Sequence, residues 1–198
     1  MARFLLIRHG DCEPVGKYLA GRKENVHLNA NGRRQAECIA DGLAETKIDH
    51  LFSSPLERAV ETAERIARVQ NTEIRTDEAF LEIDYGDWTG MSFEKLASDD
   101  LWSQFNRFRS STRVPGGEMM IEVQKRFVSR IKALHDENPE SVVGIVSHSD
   151  PIKSALCGYA GISLDLMHRL VINPASVSAF DLSVWGAEIQ FINRTGGF

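Results

Sequence analysis

The sequence predicts an α/β fold in which helices pack on a mixed, mostly parallel sheet. Two apolar runs, residues 4–7 and 141–146, are typical of strands that are buried on both faces. Amphipathic helical stretches alternate with these and other short apolar runs, and such alternation is typical of layered α/β proteins. A chain of 198 residues with 42% hydrophobic content can bury one sizeable core. We therefore interpret residues 1–198 as a single domain.

Helices are predicted where apolar residues recur every three or four positions. In residues 55–69, for example, Ala59, Ala63 and Ile66 lie on one stripe. The sequence Pro115-Gly116-Gly117 breaks the chain before the longest such stretch. The predicted helices span residues 28–43, 55–69, 92–97, 99–108 and 118–136, and a last helix begins near Asp150.

Strands are predicted where short apolar runs lie between turn signals. The last two are joined across Trp185-Gly186, and the chain contains no obvious repeat or low-complexity segment. The predicted strands span residues 4–7, His50–Ser53, 73–75, 79–83, 141–146, 170–172, 176–182 and 187–192.

The composition argues against several classes of protein. The chain has 23 basic and 28 acidic residues and a net charge of −5, whereas nonspecific nucleic-acid binders usually carry a basic excess. Its longest apolar runs are far shorter than the ~20 residues of a membrane span. The apolar stretch at the N-terminus is also too short for a signal peptide. We therefore expect a cytoplasmic protein that binds neither nucleic acid nor membranes.

The three cysteines, Cys12, Cys38 and Cys157, are an odd number and form no Cys-x-x-Cys pair. We interpret them as thiols of a reducing cytosol rather than as disulfide partners. The six histidines and three cysteines also lack the closely spaced pairs that are typical of zinc ligands. No metal site is predicted.

Two histidines follow the two strongest predicted strands. Strand 4–7 continues into Arg8-His9-Gly10, and strand 141–146 continues into Ser147-His148-Ser149. In open α/β sheets the site lies at the carboxyl ends of the strands. We therefore expect both imidazoles to point into one crevice.

A third strand, His50–Ser53, leads into a helix with three start signals. Ser54 is a candidate N-cap, Pro55 suits the first helical position, and Glu57 completes a capping box. Arg58 then lies in the first turn, where free N–H groups and the helix dipole favour anions. Because guanidinium groups match phosphate oxygens, the two arginines and two histidines together predict an anion site.

The segment from Glu82 to Trp88 places three carboxylates around a glycine and two aromatic residues. Aromatic surroundings can raise the pKa of a carboxyl group, as a general acid requires. Asp84 and Asp87 are equally well interpreted as solvated loop residues. Other nucleophile patterns do not fit, because no cysteine has an arginine six residues later and Ser147 lacks flanking glycines. By elimination, the predicted nucleophile is a histidine.

Ordered blocks along most of the chain resemble the histidine phosphatase superfamily, whose best-known branch contains the cofactor-dependent phosphoglycerate mutases. Together these blocks are far more specific than the opening three residues alone. They are Arg8-His9-Gly10, Gly21-Arg22, Leu28-Asn29, Gln35-Ala36, Ser53-Ser54-Pro55-Leu56, Arg58-Ala59, Leu81-Glu82, Pro115-Gly116-Gly117-Glu118 and Val146-Ser147-His148.

The resemblance implies a phosphoglycerate mutase-like, three-layer α/β/α sandwich and roles for five side chains. His9 would be the nucleophile that forms a phosphohistidine. Arg8, Arg58 and His148 would hold the phosphoryl oxygens. Glu82 would protonate the leaving oxygen and then activate water. No metal is required, since the arginines neutralise the oxygens, and hydrolysis needs no cofactor.

Departures from the family pattern bear on the substrate. The mutases carry a Glu-Arg-His-Tyr-Gly type of block where this chain has Ile83-Asp84 after the glutamate. This exchange favours hydrolysis, because it removes positive charge from a bisphosphate pocket and adds a negative one. Asp11-Cys12 replaces the usual Glu-Thr or Glu-Ser. Cys12 is thus either a site of oxidation near the crevice or a small filler residue.

Two further segments are candidates for substrate binding. Lys17 and Arg22 either bind a second acidic group of the substrate or belong to a solvated basic loop. Residues 101–113 mix aromatic and arginine side chains, and we interpret them as a candidate lid. Such a lid suits a phosphate ester with an apolar or ring-bearing leaving group.

Hydrolysis is the predicted function, and it stands first among three that we consider in order of preference. The first is hydrolysis of a small phosphorylated substrate, a phosphomonoester, through phospho-His9. The second is a phosphoglycerate mutase, which needs a bisphosphoglycerate primer and interconverts 2- and 3-phosphoglycerate. The third is a non-catalytic binder of phosphorylated ligands, which has no need of a nucleophile or an acid. The protein is expected to be a monomer or a homodimer.

Overall fold

The computed structural model describes residues 1–14 and 16–196; Val15, Gly197 and Phe198 of the predicted domain lie outside the described residues. The strands are β1 (Ala2–Arg8), β2 (His50–Ser53), β3 (Ile74–Thr76), β4 (Val142–Ser147), β5 (Val177–Ser183) and β6 (Gly186–Arg194). The α-helices are α1 (Ala30–Gly42), α2 (Glu57–Gln70), α3 (Phe93–Ala97), α4 (Asp100–Arg107), α5 (Met120–Glu137) and α6 (Ser149–Ala160). Short 3-10 helices span Glu78–Phe80, Gly86–Trp88 and Leu164–Arg169.

All of these strands form one sheet in the order β3-β2-β4-β1-β5-β6. Strands β1 to β4 are parallel to one another, whereas β5 is antiparallel to both β1 and β6. Arg8 at the end of β1 is the register partner of Ser147 at the end of β4. The predicted mixed, mostly parallel sheet is confirmed. Because Arg8 and Ser147 are paired, the residues that follow them, His9 and His148, lie side by side.

Side chains of β1 alternate between two cores, because successive residues of a strand point to opposite faces. Phe4 and Leu6 belong to a core that includes side chains of α5 and α6. Leu5 and Ile7 belong to a second core, with side chains of α1 and α2. The predicted three-layer sandwich is confirmed. None of the helices in the described part of the chain is long and apolar enough to cross a membrane.

A third core contains the residues that follow Glu82. Ile83 and Trp88 pack there with Phe105 of α4 and Met120 of α5, and all four are at least 98% buried. The rings of Trp88 and Phe105 meet with centroids 5.5 Å apart. This packing fixes the segment that carries Glu82 without adding a strand to the sheet.

The predicted strand at residues 79–83 is wrong. Its first residues complete the 3-10 helix Glu78–Phe80, and the rest is irregular. The Phe80 ring packs edge-on against Phe127, and the Phe80 carbonyl oxygen accepts a hydrogen bond of 2.8 Å from Ser147 Oγ. The run is apolar because it fills a core, and burial by itself does not require pairing in a sheet.

The predicted strand at residues 170–172 is also wrong. These residues follow the 3-10 helix Leu164–Arg169 and are irregular. Ile172 is buried, which explains the apolar signal. Its carbonyl oxygen accepts a hydrogen bond from the Arg8 guanidinium instead of a backbone N–H of a neighbouring strand.

Candidate active site

The carboxyl edge of the sheet brings together residues that are distant in the sequence. His9 follows β1 and His148 follows β4, and their ring centroids lie 5.1 Å apart with planes at 61°. Arg58 is the second residue of α2. Glu82 lies in the irregular segment after the 3-10 helix Glu78–Phe80. Both imidazoles thus meet at one end of the sheet, as the strand geometry requires.

A cleft of about 340 Å³ lies at this edge. Arg8, His9, Arg58 and Glu82 line it, and His148 is fully buried beside His9. Cys12 also lines the cleft and is 3% exposed. Other parts of its wall come from Tyr18, Phe93, Trp102, Asn106, Arg109 and Asp150.

His9 is held in one tautomer. Its Nδ1 lies 2.7 Å from the Gly10 carbonyl oxygen, and because a carbonyl only accepts, Nδ1 must carry the proton. The lone pair is therefore on Nε2. Burial, together with the positive charges of Arg58 and Arg8, holds the pKa of His9 well below its ordinary value. The ring is neutral near pH 7, as a nucleophile must be.

Arg8 and Arg58 are anchored by main-chain carbonyl oxygens. Arg8 Nη1 donates to Ile172 O at 2.6 Å, and Arg58 Nη2 donates to Gly21 O at 2.7 Å. Arg8 Nε and Arg58 Nη1 are buried and have no hydrogen-bond partner among the described residues. Burial lowers the pKa of both groups, but a guanidinium remains charged at any ordinary pH. The two cations therefore define a site for a small anion.

His148 is fully buried next to this anion site. Its Nε2 lies 2.8 Å from Ser54 Oγ, and its Nδ1 has no hydrogen-bond partner within the described part of the chain. Burial and the positive charge of Arg58 hold the pKa of His148 well below its ordinary value. The ring is therefore neutral and carries a single N–H.

The predicted capping box at the start of α2 is wrong. The helix begins at Glu57, and Leu56 occupies the N-cap position without a side-chain cap. The Glu57 carboxylate accepts a hydrogen bond from the main-chain N–H of Asn25 at 3.0 Å. Ser54 lies before the cap and contacts His148. Ser54 thus contacts a residue of the site, Glu57 binds the main chain of a neighbouring loop, and Arg58 still lies in the first turn of the helix.

Glu82 presents a carboxyl group with a raised pKa to the cleft. Burial, assisted by the negative charge of Asp150, raises the pKa of Glu82 to about 7, although Arg58 and Arg8 oppose this rise. Oε1 accepts a hydrogen bond of 3.0 Å from the main-chain N–H of Ile83, which orients the carboxyl group. A group with a pKa near the working pH can both donate and accept a proton.

Two arginines hold the main chain of Glu82 in place. Its carbonyl oxygen accepts from Arg22 Nε at 2.9 Å and from Arg126 Nη2 at 3.1 Å. Glu118 bridges these cations, with Oε2 2.9 Å from Arg22 Nη2 and Oε1 3.2 Å from Arg126 Nε. Glu118 also accepts from the main-chain N–H of Asp84. Arg22 and Arg126 thus fix the position of Glu82 from outside the cleft.

Lys17 and Arg22, the two predicted ligands of a second acidic group, are not among the described residues that line the cleft. Lys17 is exposed, and its Nζ contacts the carboxylate of Glu13. An exposed pair of this kind contributes little to stability. The structure therefore does not bring these two side chains to the phosphate end of the site.

A buried ion pair between Asp150 and Arg109 lines the cleft and has no local sequence signal. Asp150 Oδ2 accepts from Arg109 Nη1 and from the Tyr85 hydroxyl, each at 2.7 Å. Arg109 Nη2 donates to Asn106 Oδ1 at 2.8 Å. Although burial opposes it, the charge of Arg109 holds the pKa of Asp150 below its ordinary range. Asp150 lies two residues after His148, but this spacing does not predict a contact with Arg109, which is 41 residues away in the sequence.

Residues 101–113, the candidate lid, form part of the cleft wall. Helix α4 contributes Trp102 and Asn106, and the chain then continues to Arg109. The main-chain N–H of Ser110 donates to Asp165 Oδ1 at 2.8 Å, which ties the segment to the 3-10 helix Leu164–Arg169. That this segment opens and closes stays a prediction.

The chain belongs to the histidine phosphatase superfamily (branch 1), whose sequence profile matches residues 4–195. Phosphoserine phosphatase 1 of Hydrogenobacter thermophilus is 28% identical over 187 residues, which cover 92% of this chain and 87% of that relative. A 2,3-bisphosphoglycerate-dependent phosphoglycerate mutase of Thermoplasma acidophilum is 30% identical over 183 residues, or 91% and 87% of the two chains.

Among solved structures, a mutant phosphoserine phosphatase from Entamoeba histolytica in complex with phosphoserine has a similar fold. Its TM-score is 0.90, with 26% sequence identity and 100% of both chains covered. The predicted family and the phosphoglycerate mutase-like fold are confirmed.

Removing the charge of Asp150 should shift the titration of Glu82. Because this negative charge raises the pKa of Glu82, Asp150→Asn should lower that pKa from about 7 toward the ordinary value of a glutamate. Carbon-13 NMR of the Glu82 carboxyl group measures the change. Asp165→Asn is the matched control, because Asp165 anchors Ser110 and does not line the cleft. An unchanged Glu82 titration in Asp150→Asn would contradict the coupling.

Proposed function

We propose that the protein is a phosphatase that hydrolyses a small phosphomonoester through a phosphohistidine on His9. The observation that carries this proposal is the neutral His9 ring, with its lone pair on Nε2, beside two guanidinium groups and a carboxyl group of pKa about 7. Relatives that are named phosphoserine phosphatase support hydrolysis as the reaction.

In the first half-reaction, His9 Nε2 attacks the phosphorus atom. The N–P bond forms while the P–O bond to the leaving group breaks. Arg8 and Arg58 stabilise the charge on the non-bridging oxygens, and phosphoryl transfer depends mainly on such positioning and charge stabilisation. Glu82 transfers its proton to the leaving oxygen, which departs as an alcohol.

In the second half-reaction, water replaces the alcohol. The Glu82 carboxylate takes a proton from the water molecule as its oxygen attacks phosphorus and the N–P bond breaks. His9 returns to its neutral form, Glu82 is protonated again, and inorganic phosphate leaves. A pKa near 7 suits this exchange of roles, because neither protonation state of Glu82 is strongly disfavoured.

His148 is proposed as the third group that holds the phosphoryl oxygens. Its ring is neutral, so it contributes a hydrogen bond rather than a full charge. If the Ser54 hydroxyl donates to Nε2, the ring proton is on Nδ1, the nitrogen without a described partner. Ser54 then acts as a positioning residue that selects this tautomer.

Phosphoglycerate mutase activity is the second candidate, because the relative from Thermoplasma acidophilum carries that name. A mutase must bind a second anionic group of a bisphosphate. Neither of the two predicted ligands for it is among the described residues of the cleft: Arg22 is paired with Glu118, and Lys17 is exposed beside Glu13. This placement favours hydrolysis. A mutase would convert 3- to 2-phosphoglycerate faster than it releases phosphate, and only with a bisphosphate primer.

We further propose that the reaction requires neither a metal nor a cofactor. The guanidinium groups of Arg8 and Arg58 supply the positive charge that a metal ion supplies in other phosphoryl-transfer enzymes. Within residues 1–14 and 16–196, no three His, Cys, Asp or Glu side chains are placed to hold a metal ion. A cytoplasmic location and a monomer or homodimer remain parts of the proposal.

Replacing the nucleophile should abolish turnover. We expect His9→Ala to lower kcat roughly 10³-fold or more, with EDTA present throughout. Wild-type enzyme quenched during turnover should carry an acid-labile phosphoryl group that His9→Ala lacks. His27→Ala is the matched control, since His27 is exposed and contacts Glu61. Retention of about a tenth of wild-type turnover by His9→Ala would contradict the mechanism.

The acid can be tested through the leaving group. Glu82→Gln should slow the hydrolysis of alkyl phosphates far more than that of p-nitrophenyl phosphate, because the nitrophenolate leaving group needs little protonation. In the wild type, alkyl phosphate hydrolysis should fall as the pH rises through the pKa of Glu82, because the acid loses its proton there. Glu78→Gln, an exposed residue of the preceding 3-10 helix, is the control. Equal losses with both esters would exclude Glu82 as the acid.

A further inference from the structure

The charges in the cleft can be counted. Among the described residues that line it, the guanidinium and carboxyl groups belong to Arg8, Arg58, Arg109, Glu82 and Asp150. Arg109 and Asp150 lie 2.7 Å apart, so together they carry no net charge. Glu82 is neutral when it holds the proton for the leaving group. The two positive charges of Arg8 and Arg58 therefore remain.

A phosphomonoester dianion carries two negative charges and matches these two cations. His168 also lines the cleft, but burial and the charge of Arg109 hold its pKa below the ordinary value, so the ring is neutral near pH 7. A second acidic group on the leaving group would therefore meet no lysine or arginine without a carboxylate partner among the residues described in the cleft, apart from the two that hold the phosphate. Arg109 is neutralised by Asp150, while Arg22 and Lys17 pair with carboxylates outside the cleft. An unpaired anion in a partly buried cleft is costly, because it loses hydration without gaining a partner.

Phe93 and Trp102 both line the cleft, and among its described residues they are the aromatic ones without a polar ring substituent that could bind the phosphate. Phe93 begins α3 and is 38% exposed, although it lines the cleft. Trp102 is held more rigidly, since its main-chain N–H donates to Asp99 Oδ1 at 3.2 Å and its ring meets Trp88 edge-on at 5.3 Å. An apolar ring left exposed inside a polar cleft is a typical contact for an apolar ligand group.

We propose that the leaving group of the substrate carries no net charge and presents a flat ring to Phe93 and Trp102. This inference rests on the proposed phosphatase function, which it makes more specific. Arg8 and Arg58 hold the phosphate, and the ring packs on the aromatic wall.

Four esters test the two parts of the proposal, which are the absence of net charge on the leaving group and the presence of a ring. Ethyl phosphate and 2-phenylethyl phosphate both release a primary alkanol of similar acidity and differ in the ring. The leaving group of 3-phosphoglycerate adds a net negative charge, whereas that of phosphoserine is zwitterionic and has no ring. We expect kcat/KM for 2-phenylethyl phosphate to exceed that for ethyl phosphate and phosphoserine by about tenfold or more. For 3-phosphoglycerate we expect the lowest value.

A matched pair of variants assigns the preference to the wall. Phe93→Ala should lower the ratio of kcat/KM between 2-phenylethyl and ethyl phosphate about tenfold. Phe108→Ala should leave that ratio unchanged, since Phe108 is 53% exposed and is not among the described residues of the cleft. A folded Phe93→Ala protein, checked by circular dichroism, with an unchanged ratio would overturn the assignment.

The outcomes separate this inference from the proposed function. Hydrolysis of all four esters with similar kcat/KM would overturn the inference and leave the phosphatase proposal intact. A preference for 3-phosphoglycerate or phosphoserine over 2-phenylethyl phosphate would overturn it as well. If none of the four esters released phosphate, the result would instead count against the phosphatase proposal itself.

Discussion

The site depends on two buried guanidinium groups that are held by carbonyl oxygens rather than by carboxylates. Arg8 donates to Ile172 O and Arg58 to Gly21 O, so both side chains are fixed in place while their charge stays available. A carboxylate partner would have neutralised them and left little attraction for a phosphate. The same charges help to keep the pKa of His9 low, because a protonated ring would be a third cation beside them.

The fold supplies what this arrangement needs. Parallel strands β1 and β4 end in register and place two imidazoles side by side, and the third core carries Glu82 to the same edge. The nearby carboxylates bind other arginines than the two that hold the phosphate. Glu118 binds Arg22 and Arg126, and Asp150 binds Arg109. The protein thus keeps its anion site positive although the chain as a whole carries a net charge of −5.

Much of this arrangement could be predicted from local sequence patterns. The two strongest predicted strands and the predicted amphipathic helices agree in type with the structure, and the ends of those strands point to His9 and His148. The predicted strands at residues 79–83 and 170–172 are wrong, because burial and sheet pairing produce the same short apolar run. The Asp150–Arg109 pair and the arginines that hold Glu82 could not be predicted, since these partners are 41 to 60 residues apart in sequence. Hydrophobic periodicity predicts which face of a helix or strand is buried, but it does not predict which charged side chains form ion pairs.

The central claim is that the phosphoryl group is transferred twice, first to His9 and then to water. The stereochemical course at phosphorus tests it most directly. Hydrolysis in ¹⁷O-labelled water of an ester whose phosphorus is made chiral with ¹⁶O, ¹⁸O and sulfur gives a product whose configuration can be assigned by ³¹P NMR. Two in-line displacements predict overall retention of configuration. Inversion would show a single direct attack by water and would contradict the phosphohistidine.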